Sequence, residues 1–167
     1  MVGRTPVQVG LLILALGGAV AAYLWWHSPE RQIRRLLAVV PAALNHEQPD
    51  TGLAALSAVA ALQPLLALDV TLDPGGVGAP IVGRQEAVAW AARFRAATPR
   101  LRVQFFDDSI VLRDATSATV TVTAQVVTVD QRGAEIAEAH AIEAVLHKQD
   151  GSWVVTSARR VRDGSGG

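Results

Sequence analysis

The sequence contains no cysteine, which excludes disulfides, thiolate zinc sites and cysteine nucleophiles. Charged residues make up only 18% of the 167 residues, and 15 basic residues balance 15 acidic ones. No basic stripe stands out against this neutral composition, so we do not expect nucleic acid as a partner. Half of the residues are hydrophobic, so the chain can bury the core of one domain and still carry an appendage.

The chain is also poor in patterns that hold metals or cofactors. His140 and His147 are seven residues apart on one predicted strand, so they point to opposite faces of the sheet. Spacings typical of metal sites, such as H-E-x-x-H, do not occur, and we expect no metal. The glycine loop at 75–78 lacks the lysine of a phosphate loop, and we expect no cofactor either.

The appendage is the apolar segment Val7–Trp26, in which Gln8 is the only strongly polar residue. A helix of about 20 residues spans the hydrocarbon core of a bilayer, and the aromatic residues at the far end of this segment suit the headgroup zone. A cleaved signal peptide is the alternative, because Ala19-Val20-Ala21 offers an A-x-A site. The apolar run continues past that site, so residues 1–27 are predicted to form an uncleaved, single-pass membrane anchor with a short tail.

The charges on its two sides bear on the orientation of the anchor. Arg4 precedes the segment, whereas Arg31, Arg34 and Arg35 follow it. Counted naively, the positive-inside rule places the C-terminal domain in the cytoplasm. Those three arginines, however, belong to the predicted first helix of a folded domain, and a short N-terminal tail is easily retained inside. We therefore expect the domain to lie outside the cytoplasm, in a bacterial envelope.

Three helices are predicted at the start of the folded part. Ser28-Pro29-Glu30 has a hydroxyl N-cap, a proline at the first helical position and an acid in the first turn. Pro41 is expected to kink the first helix or to end it. Apolar residues recur at helical spacing within three stretches, which are Ile33–Leu44, Leu53–Leu62 and Ala87–Phe94.

From Leu101 onward the apolar period changes from helical to two. Alanine and valine alternate with threonine and glutamine over 118–126, and Asp107-Asp108 indicates a bulge or bend in the preceding strand. Four long strands and a short one ending at Asp73 follow from these patterns. They predict an α+β domain at 28–163, with three helices packed on one face of a curved antiparallel sheet, and a disordered tail at 164–167.

The order of these elements, with the motifs at their junctions, points to a known family. A strand ending in Asp73-Pro74 leads through the glycine loop to G-R-x-E-A-V-x-W at 83–90, and the last strands carry D-G-S-W-V-V at 150–155. Over Ser28–Asp163 this order resembles the nuclear-transport-factor-2-like superfamily, which includes SnoaL-like and ketosteroid-isomerase-like proteins and membrane-anchored bacterial members of unassigned activity. The resemblance implies a cone with a pocket between the helices and the concave face of the sheet.

The resemblance also singles out Asp73. In isomerase-like members an acid at the end of the first strand takes a proton from a carbon next to a carbonyl, and Asp73 matches that position. Such a base needs a donor for the enolate oxygen, typically a tyrosine, yet Tyr23 in the predicted anchor is the only tyrosine. Asp73-Pro74-Gly75 is equally ordinary turn chemistry. The candidate pocket residues are Asp69, Trp90, Phe94, His140 and Trp153.

These patterns support two functions. The first is a membrane-tethered, non-catalytic domain that binds a small apolar ligand or assembles with other proteins. The alternative is a small isomerase, cyclase or dehydratase that acts on a carbonyl compound with Asp73 as general base.

Two features of the strands suggest further contacts. Thr119, Thr121 and Thr123 are predicted to coat the outer face of the sheet, where a second copy of the chain packs as a homodimer or, alternatively, only water lies. Glu143 is expected to form a solvated ion pair with Arg159 or Arg160 on a neighbouring strand.

Overall fold

The computed structural model describes residues 28–75, 78–129 and 132–161. The predicted anchor at 1–27 and the predicted tail at 164–167 lie outside these residues, so both stay predictions. Within the described ranges, no helix combines the length and the apolar character that crossing a bilayer requires.

The three predicted helices are present. They are α1 (Pro29–Leu44), α2 (Gly52–Val59), which continues into a 3-10 helix at Ala60–Leu65, and α3 (Arg84–Ala97). Ser28 caps α1 as its sequence indicates, because its side chain accepts a hydrogen bond from the backbone N–H of Arg31. Pro41 lies in the last turn of α1, and the helix ends three residues later.

The sheet has six strands, and it is mixed. The strands are β1 (Leu66–Asp73), β2 (Ile81–Val82), β3 (Arg100–Leu112), β4 (Ser117–Val129), β5 (Glu135–Gln149) and β6 (Ser152–Arg160), in the spatial order β2-β1-β6-β5-β4-β3. The four long strands form the expected antiparallel meander. The expectation of a wholly antiparallel sheet was wrong, since β1 pairs with β6 in parallel.

The helices cover one face of this sheet. Ala118, Val120, Val122 and Ala124 of β4 are each 5% exposed or less, and the alternating threonines point to the other face. Ile33 of α1 packs on this buried row. The period-two pattern therefore identifies the buried face of β4 correctly.

The predicted bulge in β3 is also confirmed. The pairing of β3 with β4 shifts between Phe106 and Ser109, and Asp107 has a φ of 54°. Arg34 of α1 forms an ion pair with Asp108 at 2.9 Å, which ties the first helix to the bulge. A bulge of this kind bends the strand and increases its twist locally.

The segment after α1 extends the sheet beyond β3. The backbone of His46 exchanges two hydrogen bonds with that of Leu101, at 3.0 and 3.1 Å. The side-chain amide of Asn45 accepts a hydrogen bond from the N–H of Val103 and donates one to its carbonyl oxygen. This segment therefore occupies backbone groups that an edge strand would otherwise leave open to another chain.

Candidate functional site

A cavity of about 600 Å³ lies between the helices and the covered face of the sheet. Helix α1 contributes Val40 and Leu44, helix α3 contributes Trp90 and Phe94, and the turn after β1 contributes Pro74. The sheet contributes the remaining lining residues from β3 to β6, which are Val103, Phe105, Ala124, Val126, Thr128, Ile136, Glu138, His140, Ile142, Ala158, Arg159 and Arg160.

The polarity of the cavity changes from its floor to its rim. Val103 and Ala124 are among the most buried lining residues, and both are apolar. The exposed lining residues include Trp90, which is 42% exposed, and the charged residues Glu138 and Arg160. Burial of a polar group without a hydrogen-bond partner is costly, so the part of a ligand that lies against these two residues must be apolar.

Two aromatic rings form one wall of the cavity. Trp90 and Phe94 lie one turn apart on α3, and their rings are stacked with centroids 5.4 Å apart and planes only 3° from parallel. Stacking at this spacing is favourable in itself and restricts both side chains. The cavity therefore has a fixed, flat aromatic surface on which an apolar group can lie.

The polar pair inside the cavity consists of His140 and Glu138. Both lie on β5 opposite cavity-lining residues of β4, and the His140 Nε2 atom is 3.0 Å from the Glu138 Oε2 atom. The side chains are 21% and 62% exposed respectively. The Nδ1 atom of His140 is buried and has no hydrogen-bond partner among the described residues. His140 is therefore oriented by Glu138, while half of its hydrogen-bonding capacity is unused.

Asp73 does not line the cavity. Its neighbour Leu72 pairs with Ala158, whose side chain belongs to the cavity face, whereas Asp73 pairs with Arg159, whose guanidinium group binds Glu143 on the other face. Successive residues of a strand alternate between faces, so Asp73 lies on the face away from the cavity. Its side chain is exposed, and its Oδ1 atom accepts a hydrogen bond from the Gly75 N–H at 2.8 Å. The turn interaction is thus present, and the geometry gives no support to the role of general base.

Two other candidates also lie away from the cavity. Asp69 is exposed on β1 and is not a lining residue. Trp153 is buried in the core beside Ile33, where it borders a separate groove of about 360 Å³. It belongs to the covered face, but it lies near the opposite end of β6 from Ala158. Alternation in a sequence gives the face of a residue but not its distance from a pocket.

The structure therefore brings together Trp90, Phe94 and His140 from the predicted set and adds residues that the sequence analysis did not select. Glu138 could have been predicted as a lining residue from the sequence, because it lies two residues from His140 on the same strand and therefore shares its face. The expected ion pair of Glu143 with Arg159 is confirmed, at 2.8 Å between the Oε1 and Nη2 atoms. Among the residues with described positions, no cluster of three or more potential metal ligands forms.

A family model for a SnoaL-like domain matches residues 28–159, which include all of the cavity lining except Arg160 and nearly all of the described sheet. No curated protein matches the chain. Since the match spans well over half of the sequence, it establishes the family for residues 28–159.

Solved structures agree on the fold. An NTF2-like protein with a cystatin-like fold from Novosphingobium aromaticivorans is similar with a TM-score of 0.65 and 19% identity, over 87% of this chain and 90% of that one. Aln2 from a Streptomyces species has a TM-score of 0.60 and 18% identity, over 81% and 93%. The association domain of C. elegans CaMKII has a TM-score of 0.58 and 15% identity, over 80% and 94%. The three helices and the mixed sheet of this chain therefore form a cystatin-like fold.

Proposed function

This chain belongs to the SnoaL-like domain family, and from that premise we propose that it binds a small, mainly apolar ligand in its cavity without transforming it. The observation that carries the proposal is the cavity itself, about 600 Å³ in volume with an apolar floor and a few polar groups at the rim. Ligand pockets in proteins are typically about 300–1,000 Å³ and have this distribution of polarity.

The arrangement favours binding over proton transfer. A base that removes a proton from carbon must face the substrate, and a second group must stabilise the oxygen that becomes negative. Asp73 faces away from the cavity, and the buried indole N–H of Trp153 lies in the core outside it. An isomerase, cyclase or dehydratase that uses Asp73 remains the alternative, and it would require the Asp73–Gly75 turn to open.

The ligand-binding proposal is tested with the neutral fluorophore N-phenyl-1-naphthylamine and the methyl signals of Ile136 and Ile142, which line the cavity. We expect these signals to shift on titration. Replacing Val126 with tryptophan fills the cavity, and it should raise the apparent Kd at least about tenfold. The matched control is Val127→Trp, because Val127 pairs with Ala137 on the opposite face of the same strand. Equal effects of the two variants would contradict binding in the cavity.

We propose further that the segment Val7–Trp26 tethers the domain to a membrane, with the domain outside the cytoplasm. Its length and apolar composition support this, although the segment lies outside the described residues. After extraction of membranes with alkaline carbonate, the chain is expected in the pellet at its full mass. A soluble product that lacks about 20 N-terminal residues would instead indicate a cleaved signal peptide.

A second candidate function is self-assembly through the outer face of the sheet. Phe106 and Val111 of β3 are 45% and 57% exposed there, beside Thr123 and Thr119 of β4. Glu143 and Arg159 give the same face both signs of charge, so a second copy meets no uniform repulsion. The similar CaMKII structure is named as an association domain, and association of the present chain is our proposal.

A further inference from the structure

Arg160 lies at the rim of the cavity and carries a positive charge. It forms no ion pair with any of the described residues. It pairs along the sheet with Ile142, a lining residue, so its side chain belongs to the cavity face. Its neighbour Arg159 is different, because the guanidinium group of Arg159 is bound to Glu143 on the other face. Of these two arginines, only Arg160 is without an ion pair among the described residues.

The turn after β1 holds the stem of Arg160. Gly75 has a φ of 75°, and a Cβ atom placed on it would lie 2.9 Å from the Arg160 Cβ atom and 3.1 Å from its Cδ atom. The absence of a side chain at Gly75 therefore leaves the space that the arginine stem fills. The hydrogen bond from the Gly75 N–H to Asp73 fixes the turn in that position. The Asp-Pro-Gly sequence thus constrains where the guanidinium group of Arg160 lies.

The acid on the rim does not neutralise Arg160. The carboxylate of Glu138 is bound to the imidazole of His140. Glu138 is also four residues along β5 from Ile142, the partner of Arg160, which corresponds to about 13 Å in an extended strand. The rim therefore has a positive charge without an ion pair among the described residues, in the same cavity as the aromatic wall and the apolar floor.

We infer that the ligand is a small organic acid, with an apolar body against Trp90 and Phe94 and an anionic group bound by Arg160. This inference rests on the proposed binding function and specifies the class of ligand. A guanidinium group suits a carboxylate, sulfonate or phosphate because it can donate two parallel hydrogen bonds to one. The cavity volume fits a small molecule of this kind.

The test compares two probes with the same aromatic body in the full chain. They are 1-anilinonaphthalene-8-sulfonate, which carries an anionic group, and N-phenyl-1-naphthylamine, which lacks it. Shifts of the Ile136 and Ile142 methyl signals report binding in the cavity. Arg160→Gln is expected to raise the apparent Kd of the sulfonate about tenfold and that of the neutral probe less than about twofold. Arg102→Gln is the matched control, because Arg102 does not line the cavity and pairs with Val127 on the opposite face of the sheet, and it should leave both values nearly unchanged.

The outcomes separate this inference from the function on which it rests. If Arg160→Gln weakens both probes equally, Arg160 shapes the cavity and does not recognise an anion. If it weakens neither, or if Arg102→Gln has the same effect on the sulfonate, the inference is also overturned, while binding in the cavity stands. If neither probe shifts the methyl signals of the unmodified chain, the proposed function fails and the inference fails with it.

Discussion

Replacing Arg95 with methionine is expected to lower the free energy of unfolding by about 3–5 kcal/mol. Arg95 is only 8% exposed, and its Nε atom donates to the carboxylate of Asp50. Its Nη1 atom donates to the carbonyl oxygens of Ala43 and Asn45, at 2.8 and 2.9 Å. Methionine keeps much of the volume, but it leaves one largely buried carboxylate and two carbonyl groups without a donor. Such groups lose their hydration on folding and gain nothing in return.

The measurement is urea unfolding of the full chain, with each variant under identical conditions. Arg93→Met is the matched control, because Arg93 lies on the same helix but forms an exposed ion pair with Glu86, and its loss should cost less than about 1 kcal/mol. The double variant Arg95→Met, Asp50→Leu should be more stable than Arg95→Met alone, since the uncompensated carboxylate is then gone. Equal losses for Arg95→Met and Arg93→Met would show that the Arg95 network contributes little.

The hydrogen bonds of Arg95 to Asp50, Ala43 and Asn45 also link two helices that line the cavity. They join the end of α1 to α3, and the neighbouring residues Leu44 and Phe94 line the cavity. Loss of this link removes the hydrogen bonds that fix the two helices at that point. The variant is therefore expected to weaken ligand binding as well as folding, whereas Arg93→Met should affect neither.

Local periodicity was sufficient to predict most of the fold. Helical spacing identified three helices, and strict alternation over 118–126 identified the buried face of β4. Strand β2 has only two residues, so it has no period to detect. The parallel pairing of β1 with β6 joins segments far apart in the chain, and neither segment carries a local sign of its partner.

The site was less predictable because it depends on register. The pairing of β6 with β5 shifts between Val145 and Leu146, so Trp153 and Arg160 share a face although they are seven positions apart. Simple alternation from Trp153 would have assigned Arg159, in place of Arg160, to the covered face of the sheet. The face of Asp73 likewise follows from its pairing with β6. Trp90 and Phe94 were accessible to sequence analysis because helical spacing alone places them together.

If the outer face of the sheet forms a homodimer, Phe106→Arg is expected to raise the dissociation constant of the dimer about 100-fold or more. Phe106 is the large apolar side chain beside Thr123 on this face. A two-fold symmetric interface uses the same patch twice, so a single substitution introduces two arginines. Both would be removed from water next to apolar and hydroxyl groups, without a carboxylate partner of their own.

Sedimentation equilibrium of the full chain measures this effect directly. Leu53→Arg is the control, because Leu53 is an exposed apolar residue on α2 and does not belong to the sheet. The control should retain the dimer while Phe106→Arg shifts the chain to monomer. If the unsubstituted chain is monomeric at high concentration, the outer face of the sheet is a hydrated surface and the homodimer is excluded. Such a result would leave the ligand-binding proposal intact, because the cavity lies on the other face of the sheet and requires no second copy of the chain.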